Sequence, residues 1–192
     1  MDYTRALDND RNRTSEAKKL TRCCGLYFGL CNKYQSNAPS RCLGCRLGLQ
    51  HSWCSIWNCC VKKNQFKYCT DCEQVFRCDI FLRRKVAEWI PAADNLRQIK
   101  EIGLDNWLKK QKMRQALLEK LLHDYNEGRS LSLFCKVCAR MPIGLVNKAI
   151  EEAKEIIAQE KVANTELKFK ARILKAVIND LALKANVDLS GN

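Results

Sequence analysis

Residues 41–72 read RCLGCRLGLQHSWCSIWNCCVKKNQFKYCTDC and carry two C-x-x-C pairs, Cys42-Leu43-Gly44-Cys45 and Cys69-Thr70-Asp71-Cys72, with 23 residues between Cys45 and Cys69. Two thiolates at this spacing grip one metal from a tight turn, because the intervening backbone brings both sulfurs to a bonding distance of about 2.3 Å. Around and between the pairs lie Cys23, Cys24, Cys31, Cys54, Cys59, Cys60 and Cys78, so eleven of the thirteen cysteines fall between Cys23 and Cys78. That density is far above the level that marks a cysteine scaffold. Gly25, Gly29, Gly44 and Gly48 stand close to thiols, as expected where the backbone curls and points its amides at sulfur. Phe28, Trp53, Ile56, Trp57, Phe66 and Phe76 lie between the thiols. Bound metal would supply the core that a segment of about 70 residues with this composition cannot build alone.

The compartment decides between disulfides and metals. The first twenty residues, MDYTRALDNDRNRTSEAKKL, contain no apolar core and no small-residue cleavage site, so no secretory signal is expected there and the cytoplasm is the expected location. In a reducing compartment clustered cysteines serve as metal ligands or catalytic thiols more often than as bridges. Thirteen thiols cannot all pair within one chain. The sequon Asn12-Arg13-Thr14 is then a chance match. Mean hydropathy is -0.37, and no apolar run in the sequence approaches the roughly 20 residues of a membrane span.

Composition divides the 192-residue chain into a polar tail, residues 1–20, a cysteine-rich metal-binding module, residues 21–90, and a helical domain, residues 91–192. Leu104, Leu108, Gln111, Gln115, Leu118, Leu121 and Leu122, with Leu117 alongside, place one stripe on a long or broken helix over 102–125, which Gly128 stops. Pro142 opens a second pattern, in which Ile143, Val146, Ala149, Ile150, Ala153, Ile156 and Ile157 share a face. A third runs over 164–186 on Leu167, Ala171, Leu174, Ile178, Leu181 and Leu183, with Thr165 near its N-cap. The expected fold is therefore mainly α: a small turn-rich, metal-bound N-terminal module followed by a bundle of three or four helices.

Spacing does not assign thiols to metals. A first site is expected from Cys24, Cys31, Cys42 and Cys45, and a second from Cys54, Cys60, Cys69, Cys72 and Cys78, for about two zinc ions per chain. Cys135-Lys136-Val137-Cys138 stands apart at the expected start of a helix; it closes a site across the domain boundary or is simply buried as a small apolar pair. Thiolates also hold iron–sulfur clusters, the alternative cofactor, although the C-x-x-C-x-x-C run of bacterial ferredoxins is absent from the sequence. A thioredoxin-like dithiol would need a strand before the motif and a helix starting at it, and neither flank offers them.

The ordered series Cys24-Gly25-Leu26-Tyr27, Cys31, Cys42-Leu43-Gly44-Cys45-Arg46, Trp53-Cys54-Ser55-Ile56, Cys59-Cys60, Tyr68-Cys69-Thr70-Asp71-Cys72-Glu73 and Phe76-Arg77-Cys78 resembles the cysteine-rich domain-of-unknown-function family 3795 over about residues 22–85. Members of that family are prokaryotic and described as zinc-binding. The resemblance implies ligands at Cys24, Cys31, Cys42, Cys45, Cys54, Cys60, Cys69, Cys72 and Cys78 and implies no activity. The family usually has a further cysteine where this chain has Phe28 and a proline where it has Arg77. Cys23 is the expected stand-in for the lost first-site ligand.

The net charge is +13, of which residues 21–90 carry +7. Two zinc ions on eight thiolates would lower the total to about +9 and leave the protein basic. Arg41, Arg46, Lys62, Lys63, Lys67, Arg83, Arg84 and Lys85 interleave with Tyr34, Trp53, Trp57, Phe66, Tyr68 and Phe81, the mixture that pairs phosphate neutralisation with base stacking. The expected function is a non-catalytic zinc-binding module that contacts nucleic acid or a ribonucleoprotein. Two alternatives stand beside it: an iron–sulfur redox or metal-delivery protein docking an acidic protein partner, and a protein-interaction adaptor built on the helices. No phosphate-binding glycine loop or nucleophile elbow occurs. The two histidines, His51 and His123, lie in different regions and are expected at the surface.

Overall fold

The computed structural model describes residues 17–45, 53–83, 91–159 and 166–190. Among them the protein is mainly helical, with no strand and one isolated antiparallel bridge between Thr21 and Tyr27. The chain divides into two compact units. The first joins the cysteine-rich segment to Pro91–Met113, and the second runs from Arg114 onward.

In the first unit the elements before residue 91 are short. Helix α1 spans Asn32–Gln35, α2 spans Ser55–Trp57 and α3 spans Asp79–Arg83. A π-type turn, Asn58–Lys63, continues α2 directly. Single 3-10 turns occupy Phe28–Leu30, Cys69–Asp71 and Val75–Arg77. Side chains rather than long backbone ladders hold these turns. Cys54 caps α2 by accepting the Trp57 N–H at 3.4 Å, and Asp71 Oδ2 accepts the Lys67 and Tyr68 N–H groups at 3.0 and 3.1 Å.

Helix α4, Ala92–Ile102, closes this unit, and its apolar face explains why it groups with the cysteines despite the change of composition near residue 91. Ala92, Leu96 and Ile99 are buried, and Asn95 Nδ2 donates to the Gly25 carbonyl at 2.9 Å. Gly103, at φ +79°, separates α4 from α5, Leu104–Tyr125. Residues 104–113 of α5 belong to the first unit, where Trp107 is fully buried edge-on against Tyr27, ring centroids 6.1 Å apart.

The second unit is the helical bundle. The end of α5 joins α6, Leu131–Arg140, α7, Ile143–Gln159, and α8, Leu167–Lys184. Helices α7 and α8 pack along each other through Val146, Ala149, Ile150 and Ala153 on one and Ala171, Leu174, Ile178 and Leu181 on the other. The Arg114 guanidinium donates to the carbonyls of Cys138, at 2.6 Å, and Met141, at 2.8 Å. It thereby satisfies carbonyls that the end of α6 leaves without intrahelical partners.

Three details differ from the sequence expectation. Trp107 and Tyr125 join the buried stripe of α5, whereas Leu104, Gln115, Leu117 and Leu122 are only half-buried. Leu183 is 82% exposed, because it falls one position outside the face set by Leu174, Ile178 and Leu181. Cys135 and Cys138 lie inside α6 rather than at its start, and both are fully buried. Thr165 and Gly48 lie outside the described residues.

Candidate metal centre

Three thiols from separate turns converge in the first unit. Cys60 comes from the π-type turn, Cys69 opens a 3-10 turn, and Cys23 lies between the Thr21–Tyr27 bridge and Gly25. The local backbone brings them together. The Cys69 N–H donates to the Cys23 carbonyl at 2.8 Å, and the Phe66 N–H returns to the Cys60 carbonyl at 2.9 Å. The three Sγ atoms all lie within 4.8 Å of one another, and all three residues are at most 9% exposed. A tetrahedral ion with bonds of about 2.3 Å separates its sulfurs by about 3.8 Å, so this spacing suits a single ion.

The thiols are electrostatically coupled. Hydrogen bonds from Cys23 and Cys69 hold the Cys60 thiol well below its ordinary pKa, against burial and the nearby Asp71. Hydrogen bonds with Cys23 and with Cys60, then burial, raise the Cys69 thiol.

Cys72 stands three residues after Cys69 and faces the same region. With Cys59, Cys60, Cys69 and Cys78 it lines a cavity of about 40 Å³ whose remaining wall includes Ile56, Phe66, Val75 and Phe81. Cys59 is tied back by Asn64, whose Nδ2 donates to the Cys59 carbonyl at 2.7 Å. An apolar wall strengthens thiolate–cation attraction by excluding water.

The sequence-predicted ligands thus separate. Cys60 and Cys69 meet in one group with Cys23, the expected stand-in at the other site. Cys72 and Cys78 line the adjoining cavity. Cys24, Cys31, Cys42, Cys45 and Cys54 are not members of the trio; Cys24, Cys31, Cys45 and Cys54 are buried and Cys42 is half-buried. Cys54, expected with Cys60 and Cys69, accepts the Trp57 N–H at the start of α2, and the π-type turn that carries Cys60 follows α2. Burial, then Cys23, pushes the Cys24 thiol up to about 12. One signal could have placed Cys23: adjacent side chains on a non-helical backbone diverge, so Cys23 and Cys24 are poorly disposed to share an ion. Burial likewise pushes the Cys138 thiol in α6 up to about 12, with Arg114 opposing.

Among the expected cationic contacts, Arg41, Lys62, Lys63, Lys67 and Arg83 are exposed, and Arg83 pairs with Asp79 at 3.5 Å. Arg46, Arg84 and Lys85 lie outside the described residues, as does His51. His123 is exposed, its Nδ1 2.6 Å from Asp124 Oδ1. No described helix is long and apolar enough to cross a membrane. Comparison with protein-family models, with curated proteins and with solved structures found no match to this chain.

Proposed function

We propose that the protein is a non-catalytic zinc-binding module whose metal-held turns present a basic face to nucleic acid or a ribonucleoprotein. The observation that carries the metal reading is the convergence of Cys23, Cys60 and Cys69, beside a cavity that Cys72 lines. A bound zinc ion would cross-link turns that are far apart in sequence and so contribute folding free energy. The order of the thiols that resembles the cysteine-rich family supports the same reading.

The nucleic-acid part rests on what surrounds the thiols. Lys62 and Lys63 extend from the turn that carries Cys60, both exposed and without a carboxylate partner among the described residues. The ring of Phe76, 39% exposed, has Arg97 Cζ 5.4 Å and Lys100 Nζ 5.5 Å from its centroid. A partly open aromatic ring beside cations suits a single strand, which needs phosphate neutralisation and a stacking surface. Titrating the full chain with a short single-stranded RNA at several salt concentrations tests this. Affinity should fall steeply with salt, and Lys62→Glu with Lys63→Glu should flatten the slope by about two. Unchanged affinity in the double variant would refute the assignment of this face.

The iron–sulfur reading keeps one observation in its favour: Cys59, Cys72 and Cys78 line the cavity beside the trio, more thiols than one zinc ion takes. Iron with acid-labile sulfide in protein purified without oxygen would establish it.

A further inference from the structure

The cavity beside the three thiols gives a small molecule access to them. Cys60 and Cys69 line it together with Ile80, which is 37% exposed, so the cavity runs from two of the thiols to the surface. Its volume of about 40 Å³ holds about three water-sized groups. That is room for a molecule of two oxygens such as hydrogen peroxide, and far too little for a glutathione-sized disulfide. The walls other than the cysteines are mainly apolar. They favour a neutral oxidant over an anionic one, because an unpaired charge leaving water costs far more than a hydroxyl does.

Two of the thiols are also placed for a covalent bond. The hydrogen bond from the Cys69 N–H to the Cys23 carbonyl, 2.8 Å long, holds these two backbones side by side. A disulfide needs Cα atoms about 4.4–6.8 Å apart, a range that residues joined by one backbone hydrogen bond satisfy. Their sulfurs already lie within 4.8 Å of each other, so side-chain rotation closes the gap to an S–S bond of about 2.05 Å. Cys60 is the thiol left over. It arrives from the π-type turn, and its Sγ has a separate partner in the Phe66 carbonyl at 3.8 Å.

We propose that a small neutral peroxide entering this cavity oxidises Cys69, that Cys23 closes a disulfide with it, and that the centre thereby releases its metal ion. The Cys69 thiolate attacks one peroxide oxygen; the O–O bond breaks, hydroxide leaves, and Cys69 becomes a sulfenic acid. The Cys23 thiolate then attacks the Cys69 sulfur, the S–O bond breaks, and a second hydroxide leaves. Two thiolates have lost two electrons and the peroxide has gained them, and both hydroxides take solvent protons to become water. Cys60, the single thiolate remaining, does not hold a divalent ion; it takes a proton and keeps its contact with the Phe66 carbonyl. A dithiol reductant reverses the bond and restores the site. The inference rests on the reading of the trio as a metal centre and adds how that centre is regulated.

Stepwise addition of hydrogen peroxide to the zinc-loaded full chain tests it, with free zinc read by a coloured chelator and disulfides by mass spectrometry of the unreduced digest. Release of one zinc ion should track a new link between Cys23 and Cys69, and dithiothreitol with added zinc should restore the starting state. Val75→Leu adds a methylene to the cavity wall; it should keep its zinc and release it several-fold more slowly. Relative to their rates with a free thiol, tert-butyl hydroperoxide should act several-fold more slowly than hydrogen peroxide, a comparison that needs no variant. Zinc-loaded wild type that keeps its zinc under peroxide, or loses it with Cys23 and Cys69 unlinked, would overturn the inference and leave the metal reading intact. Wild type that binds no zinc at the outset would overturn both.

Discussion

Gly25 meets helix α4 at van der Waals limits, because a Cβ built there would lie 2.8 Å from the Ala92 carbonyl oxygen and 2.9 Å from Leu96 Cγ. Its φ of +83° adds a conformation that other L-residues adopt only with strain. Gly25→Ala should therefore destabilise the first unit by about 2–5 kcal/mol, from left-handed strain and overpacking together, as measured by denaturant unfolding of metal-loaded protein. Gly103 at φ +79° has open space around its missing Cβ and should cost less on the same change. The thiols Cys60 and Cys69 were legible in the sequence from the C-x-x-C spacing and the density around it. Cys23 was not, because its partner atoms come from turns some 40 residues away whose approach depends on the Cys69 N–H to Cys23 carbonyl bond.

At the scale of elements, the π-type turn ends with Gln65 in the left-handed region, φ +55°, followed by the Phe66 N–H bond back to Cys60. Glycine is the residue suited to that position, so Gln65→Gly should stabilise the first unit by about 0.5–1 kcal/mol, visible as a higher thermal midpoint. In the second unit, Arg114→Met would leave the Cys138 and Met141 carbonyls without their guanidinium donor. It should cost about 1–3 kcal/mol by the same unfolding measurement. Helices α7 and α8 were legible because Val146, Ala149, Ile150 and Ala153, and Ala171, Leu174 and Ile178, repeat at the helical period. The short turns were legible only as turns: a three-residue α2 running into a π-type turn has no periodicity, and the Cys54 cap that starts it is a sulfur.

At the scale of the whole molecule, the two units should respond differently to loss of metal. The first relies on separate turns brought together by thiols, whereas the second buries Leu118, Leu121, Phe134, Val137, Leu174 and Ile178 in ordinary helix packing. A strong chelator should abolish the protected amides of the cysteine-rich turns in hydrogen exchange and leave those of α7 and α8 protected. Equal loss in both would contradict this division. The break in composition near residue 91 hid part of the organisation, since Leu96, Ile99 and Trp107 look like bundle residues in sequence yet bury themselves in the cysteine-rich unit. Only the packing of α4 on Gly25 shows where they belong.

Cys23 is the ligand that distinguishes a metal ion held by Cys23, Cys60 and Cys69 from assignments based on C-x-x-C spacing. The most direct test is the zinc content of purified Cys23→Ser beside that of the wild type. The variant should lose one equivalent of zinc; full retention would show that Cys23 is not a ligand.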